Sequence, residues 1–203
     1  MFVFGLSYKE YTFWYMAYIY IEEPKIARVL FSHTRIAWLW TIIRVYVGWQ
    51  WFEAGWSKLH SAVWVGDQSG TALAGFVQGA LQKTAGAHPD VQGWYASFLK
   101  QVVLAHPQAF AHLVTYGEIL VGVALMVGAL VGIAAFFGLF MNLNFLLAGT
   151  VSTNPVLFVL SIMLVLGWKV AGFYGLDRWL LPKLGTPWQS KIVIQKEATT
   201  AIG

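Results

Sequence analysis

The feature that most constrains the fold of this chain is a stretch of 50 residues without a charged side chain, from Ile119 to Trp168. As one α-helix it would be roughly 75 Å long, at a rise of 1.5 Å per residue. The hydrocarbon core of a bilayer is only about 30 Å thick, and about 20 apolar residues cross it. The stretch must therefore fold back on itself.

The composition of the whole chain places it in a membrane. Of its 203 residues, 58% are hydrophobic and 11% are charged, against roughly 45–50% and about 25% in soluble domains. The polar residues that remain could not cover so much apolar surface in water. The chain is therefore expected to be an integral membrane protein, and disordered, collagen-like and disulfide-rich classes are excluded.

Turn signals divide the apolar sequence into four predicted spans. Small and polar residues with Asn154-Pro155 mark one turn, and the glycines of 128–132 mark another. The predicted spans are 35–53, 112–131, 133–150 and 155–172. The fold class is then an all-α integral membrane protein whose residues 35–185 form a four-helix transmembrane bundle.

The segments around these spans also have predicted roles. Residues 1–34 are expected to form a cytoplasmic, interfacial segment, because residues 11–21 are aromatic, uncharged and too short to cross a membrane. Residues 54–111 are expected to form a helical extracytoplasmic loop, with apolar residues at helical spacing. Residues 186–203 are predicted to be a cytoplasmic tail.

The distribution of basic residues sets the predicted orientation. Lysines and arginines are dense before the first span and after the fourth, and sparse in the long loop. Positive charge is retained on the cytoplasmic side, so both termini are expected there, in the cytoplasmic (inner) membrane. Since this charge lies near membrane boundaries, the net charge of +4 indicates contact with membrane lipids and not with nucleic acid.

Cofactor chemistry is restricted by the absence of cysteine from the sequence. This chain alone can provide no thiolate ligand for an iron–sulfur cluster or zinc ion, and no thioether attachment for haem. The histidines are scattered, and none is expected to pair with another across the bundle. No metal, haem or iron–sulfur cluster is therefore expected to be bound by this chain alone.

Two charged residues fall inside predicted spans, where charge is expensive. Arg44 lies at the middle of the first span, and Glu118 lies near the start of the second. Helical rise places them roughly 13 Å and roughly 9 Å below the outer boundary, within reach of each other. We therefore predict an Arg44–Glu118 ion pair, which either joins two helices or binds a ligand or proton.

Further candidate site residues lie towards the same outer side. Glu53, Lys58 and His60 follow the first span, where they could exchange protons or attract an anion. Lys58 could equally extend its charge to the interface. Asn144 in the third span is predicted at the depth of Arg44 and Glu118, although asparagines also link membrane helices structurally.

Four short motifs, in order along the chain, resemble those of DoxX-like membrane proteins. They are Arg44-x3-Gly48-x6-Gly55-x2-Lys58-Leu59, then Glu118 to Leu125 with Gly128, then Gly149-x4-Asn154-Pro155, and finally Ala171-Gly172-x2-Gly175-Leu176-Asp177-Arg178. The last two are similar to the DoxD branch, the membrane subunit of thiosulfate:quinone oxidoreductase. The resemblance implies a four-helix bundle that works with quinone.

Two functions are compatible with this resemblance. In the first, thiosulfate is oxidised on the outer side and its electrons pass to quinone. Arg44, Lys58 and His60 would bind the dianion, and Glu118 or Glu53 would handle protons. In the second, the chain is a non-catalytic accessory subunit of a larger respiratory or photosynthetic complex. Other membrane-protein subunits are expected partners in both.

Overall fold

The computed structural model describes residues 23–185, and every regular element in that range is helical. The all-helical prediction is therefore confirmed for this part of the chain. The predicted interfacial segment at 11–21 and the predicted tail at 186–203 lie outside the described residues.

Ten α-helices follow one another along the described chain. They are α1 (Lys25–Ser32), α2 (Ala37–Leu59), α3 (Ala62–Val65), α4 (Thr71–Gln82), α5 (Gly93–Phe98), α6 (Pro107–Val127), α7 (Val131–Leu147), α8 (Asn154–Leu166), α9 (Trp168–Ala171) and α10 (Asp177–Lys183). A 3₁₀ turn at Thr34–Ile36 precedes α2, and a π-helical turn at Leu99–Val103 follows α5. The turn between α6 and α7 lies where the glycines predicted it.

Helices α2 and α6 are antiparallel and approach backbone to backbone through glycines. A Cβ atom at Gly55 would lie 2.8 Å from the backbone nitrogen of Ile119, and one at Gly48 would lie 2.9 Å from that of Met126. Gly48 and Gly55 are two helical turns apart and so share one face of α2. Their contacts fix the register, with Gly55 opposite Glu118 and Ile119.

Two hydrophobic cores hold the helices together. The larger core joins α2, α6, α7, α8 and α9 through residues such as Trp40, Trp51 and Leu125. The smaller one lies under α4 and α5, the helices of the predicted outer loop. The Lys83 ammonium donates a hydrogen bond of 2.6 Å to the carbonyl of Gly149, which ties this loop to the end of α7.

The membrane character of the helices differs from one to another. Among the described helices, α6 is the one both long and apolar enough to cross a bilayer, with a mean hydropathy of 1.8. Helices α7 and α8 are apolar but have 17 and 13 residues. Helix α2 has 23 residues and carries Arg44, Glu53 and Lys58. The four-span arrangement therefore stays a prediction.

Several helix ends differ from the predicted spans; α6, for example, begins at Pro107, five residues before the predicted start of the second span at 112. Helix α2 continues to Leu59, six residues beyond the expected end of the first span at Glu53. The fourth predicted span is interrupted, because α8 ends at Leu166 and α9 begins at Trp168. At this break, a Cβ atom on Gly167 would lie 2.9 Å from the Trp40 ring, which therefore packs directly on the backbone.

Candidate functional site

A buried ion pair lies between α2 and α6. The Lys58 ammonium nitrogen is 2.6 Å from a carboxylate oxygen of Glu118. The Glu118 side chain is 1% exposed and that of Lys58 is 19% exposed, so the pair reaches the surface only through the lysine. A charge-assisted hydrogen bond of this length is strong in such surroundings.

The local packing explains why these two charges meet. Gly55 lies one turn before Lys58, and its missing side chain allows the backbones of α2 and α6 to touch beside Glu118. From the next helix, α3, the ring of Trp64 lies 5.2 Å from the Lys58 ammonium, within range of a cation–π interaction. The pair is thus held by a close helix contact and shielded by an aromatic ring.

The predicted Arg44–Glu118 ion pair is wrong. Glu118 binds Lys58 instead, and Arg44 lies 14 residues before Lys58 on α2, roughly 21 Å away along the helix axis. The error lies in the register of the two helices, because Gly55, and not Arg44, packs against Glu118 and Ile119. Arg44 therefore faces the C-terminal end of α6.

Arg44 binds backbone carbonyls at that end. Its guanidinium donates to the carbonyls of Leu125, Met126 (3.0 Å) and Tyr174 (3.2 Å), and the side chain is buried. The C-terminal carbonyls of a helix have no partner within it and carry partial negative charge. Gly128 ends α6 with φ of 72°, and a Cβ there would collide with the guanidinium.

Asp177 binds backbone N–H groups at the start of α7, as Arg44 binds backbone carbonyls at the end of α6. Its buried carboxylate accepts hydrogen bonds from the backbone N–H groups of Leu130 and Val131, the latter at 2.9 Å. Burial raises the pKa of Asp177, although the two N–H groups and the charge of Arg44 act in the opposite direction. We name Arg44, Asp177 and the turn 128–130 between them the turn clasp.

The turn clasp gives a structural reason for two of the sequence motifs, the one that contains Gly128 and the closing one that contains Gly175. The backbone of Asp177 donates to the carbonyl of Gly128 at 2.8 Å, and that of Leu176 donates to the carbonyl of Val127 at 3.1 Å. The closing glycine-rich motif thus packs on the α6–α7 turn, with Gly175 against Gly128. A catalytic role for Arg44 stays a prediction.

The remaining candidate residues are not gathered at the Lys58–Glu118 pair. Glu53 and His60 are exposed, and within residues 23–185 no hydrogen bond or ion pair joins either of them to it. His60 instead contacts the carbonyl and ring of Trp56. Their proposed roles in binding therefore remain predictions.

Asn144 binds the predicted outer loop. Its backbone carbonyl and its side-chain oxygen accept hydrogen bonds from the Tyr95 hydroxyl at 2.9 and 3.1 Å, and its amide donates to Phe140. Burial raises the pKa of Tyr95 to about 12, so the hydroxyl keeps its proton and its donor role at neutral pH. These contacts link α7 to α5.

Within residues 23–185, no group of three or more His, Asp or Glu side chains is placed to hold an ion. For quinone, the Lys58–Glu118 pair offers the kind of group required, a buried carboxylate next to a hydrogen-bond donor. That donor set fits a carbonyl group that gains protons on reduction.

Sequence reasoning did not find Trp64 or assign a role to Asp177. Trp64 shows no pattern that would place it over Lys58, because this depends on the turn between α2 and α3. Asp177 stood within a recognised motif, and its position at the predicted inner end of the bundle could have indicated a partner for Arg44. Its actual partners are backbone groups.

Comparison with known proteins adds one match. The sequence model of the DoxX family matches residues 39–151, which is more than half of the 203-residue chain. This range runs from the first turn of α2 to beyond the end of α7 and contains both members of the Lys58–Glu118 pair. No curated protein and no solved structure matches the chain significantly.

Proposed function

Because the chain belongs to the DoxX family, typically membrane proteins linked to quinone-related oxidoreductases, we propose that it is the membrane subunit of a quinone-linked redox system. The observation that carries this proposal is the Lys58–Glu118 pair, a buried carboxylate held 2.6 Å from an ammonium group that is partly exposed. Paired charges inside a helical bundle are typical of proton-handling sites.

The proposed chemistry assigns a separate task to each member of the pair. Quinone, when bound, takes up two electrons and two protons. Glu118 would hold a proton in the bundle and release it, since carboxylates act as general acids and bases. Lys58 would stabilise the ionised carboxylate and offer positive charge to an approaching anion.

The proposed electron donor is thiosulfate on the outer side, as in the DoxD branch that the closing motifs resemble. Two thiosulfate ions joined through their terminal sulfurs release two electrons, which matches the needs of one quinone. The chain has no cysteine, so we propose that electrons pass directly between bound reactants or through a partner subunit. Glu53, His60, Arg44 and Asn144 remain further candidates for binding.

We place the protein in the cytoplasmic (inner) membrane with four spans, formed by α2, α6, α7 and α8, and with both termini cytoplasmic. The basic residues after the fourth predicted span support this orientation. Arg44 and Asp177 would then lie near the inner side, with Lys58 and Glu118 nearer the outer side. This arrangement puts the ion pair where an external anion could reach Lys58.

The orientation can be tested by cysteine labelling, because the chain contains no cysteine of its own. In intact cells, Ala87→Cys, in the exposed loop after α4, is expected to react with a membrane-impermeant maleimide. Leu184→Cys, which is exposed after α10, is expected to react only after the membrane is permeabilised. The same result at both positions in intact cells would contradict the four-span topology.

The function is tested with protein purified from its native membranes in mild detergent. We expect thiosulfate-dependent reduction of an added quinone, and a small complex whose partners are identified by mass spectrometry. Isolation only within a large respiratory or photosynthetic assembly, without such activity, would favour the accessory-subunit alternative. The exposed aromatic side chains of α7, Phe136, Phe137 and Phe140, would then be candidate contacts with neighbouring subunits.

A further inference from the structure

Glu53 on α2 lies beside the middle of α6, the described helix that is long and apolar enough to cross a bilayer. A Cβ atom at Gly122 would lie 2.5 Å from the backbone nitrogen of Phe52. One at Gly55 would lie 2.8 Å from that of Ile119. Glu53 is therefore level with the part of α6 between these two contacts, roughly 8–12 Å from the C-terminal end of that helix. With α6 in the bilayer, Glu53 lies at the depth of the hydrocarbon.

The Glu53 carboxylate has no partner at this depth among residues 23–185. The residue is exposed, and no hydrogen bond or ion pair of the described chain reaches it. The basic residues of α2 are engaged elsewhere, Arg44 at the end of α6 and Lys58 with Glu118. Charged residues in membrane spans almost always face the bundle interior or an opposite charge. An outward-facing carboxylate therefore requires a partner outside the described chain.

The surface of α2 around Glu53 is a row of aromatic side chains. Trp49 and Trp56, one turn before and one turn after Glu53, are 53% and 50% exposed. Phe52 lies between them, and its ring centroid is 6.3 Å from that of Trp49 and 5.5 Å from that of Trp56. Tryptophan is enriched among the residues that contribute most to protein–protein binding. We name Trp49, Phe52, Glu53 and Trp56 the acidic face of α2.

We propose that the acidic face of α2 binds a membrane-spanning helix of a partner subunit, and that this helix carries a lysine or arginine at the depth of Glu53. The basic side chain pairs with Glu53, because opposite charges within a membrane compensate each other. The two tryptophans pack on either side of the pair and exclude lipid. The inference rests on the proposed membrane placement of the chain, but not on its proposed redox chemistry.

Charge complementarity favours this occupant over lipid and over a second copy of the chain. Acyl chains offer no polar group to a carboxylate. A second copy related by a two-fold axis along the membrane normal would present the same face of α2, and would bring one Glu53 close to the other. Helix α2 has no exposed lysine or arginine, so a second copy could not supply the missing positive charge from this face.

Photo-cross-linking in native membranes tests the proposal, with p-benzoylphenylalanine in place of Trp56. We expect a cross-link to one partner protein. Mass spectrometry is expected to place it on a membrane-spanning helix with a lysine or arginine inside its apolar stretch. The matched control is the same replacement at Leu120, which is 69% exposed on α6 and lies level with Glu53. The control is expected to give lipid adducts alone.

Four results would overturn the proposal. They are lipid adducts alone from the Trp56 position, a cross-link to a second copy of the chain, a cross-link to a segment without a basic residue, and the absence of lipid adducts from Leu120. The last result would show that this depth is not in the hydrocarbon. These measurements use neither thiosulfate nor quinone, so failure of the redox function would leave their outcome unchanged.

Charge exchange tests the ion pair itself. Glu53→Lys brings like charges together and is expected to lower cross-linking from the Trp56 position at least about tenfold. Asp67→Lys, in an exposed loop, should not change it. Because Glu53 is exposed, Glu53→Lys should keep the Tm of the chain in detergent. Glutamate in place of the partner's basic residue is expected to restore cross-linking to Glu53→Lys. Unchanged cross-linking in Glu53→Lys, or no recovery with the exchanged partner, would contradict the pairing.

Discussion

Replacing Arg44 with alanine is expected to lower the free energy of unfolding by about 3–5 kcal/mol, the usual cost of removing one partner of a buried charged arrangement. Arg44 donates hydrogen bonds to the carbonyls of Leu125, Met126 and Tyr174. Alanine leaves these carbonyls without their donor and removes the positive charge that acts on Asp177. The loss is measured by denaturant or thermal unfolding in detergent.

A matched control separates this effect from the loss of any arginine. Arg35 is exposed just before α2, so Arg35→Ala is expected to change the stability by less than about 0.5 kcal/mol. Arg44→Lys keeps the charge but loses the planar fork that reaches several carbonyls, and its stability should be intermediate. Equal unfolding of Arg44→Ala and Arg35→Ala would contradict the clasp.

Second-site variants identify the partner of Arg44. Asp177→Asn removes the charge that Arg44 compensates, so in the Arg44→Ala background its own cost should be smaller than in the unmodified protein. Glu118→Gln should show no such coupling, because Glu118 binds Lys58 near the other end of α2. Coupling to Glu118 and not to Asp177 would restore the ion pair predicted from the sequence.

The helices could be predicted from the sequence because they are indicated by the average hydropathy and charge of long stretches of residues. The uncharged stretch from Ile119 to Trp168 is too long for one crossing, and glycines and Asn154-Pro155 mark where it turns. A prediction based on such signals stays correct even when a helix boundary is placed a few residues too early or too late. The helical character of residues 23–185 and the turn between α6 and α7 are therefore confirmed.

The pairing of buried charges could not be predicted, because it depends on register. The glycine contacts between α2 and α6 set this register: Gly55 packs against Glu118, so the partner of Glu118 is Lys58, one turn from Gly55, and not Arg44. The turn clasp could not be predicted for a different reason. Its partners are backbone carbonyls and N–H groups, which every residue carries and which leave no mark in a sequence.

Replacing Glu118 with glutamine is expected to lower quinone reduction by at least about 10²-fold, the usual contribution of a general acid–base group. Glutamine has nearly the same shape and can still accept a hydrogen bond from Lys58, so the fold should be retained. It cannot gain or lose a proton at neutral pH. The rate of quinone reduction and the unfolding temperature are measured on the same preparation.

The control for this substitution is another carboxylate on the predicted outer side. Asp67 is exposed between α3 and α4, and Asp67→Asn is expected to leave the rate unchanged. A rate equal to that of the unmodified protein in Glu118→Gln would exclude proton transfer by this residue. The quinone-linked function would then have to rest on other groups.

The pair itself can be tested by removing both charges together. Buried ion pairs can often be replaced by apolar residues of similar volume with little loss of stability, because two desolvation costs disappear along with the attraction. Lys58→Met with Glu118→Leu is therefore expected to remain folded but inactive, whereas either change alone leaves one charge uncompensated. If the folded double variant still reduces quinone, the pair only holds α2 against α6.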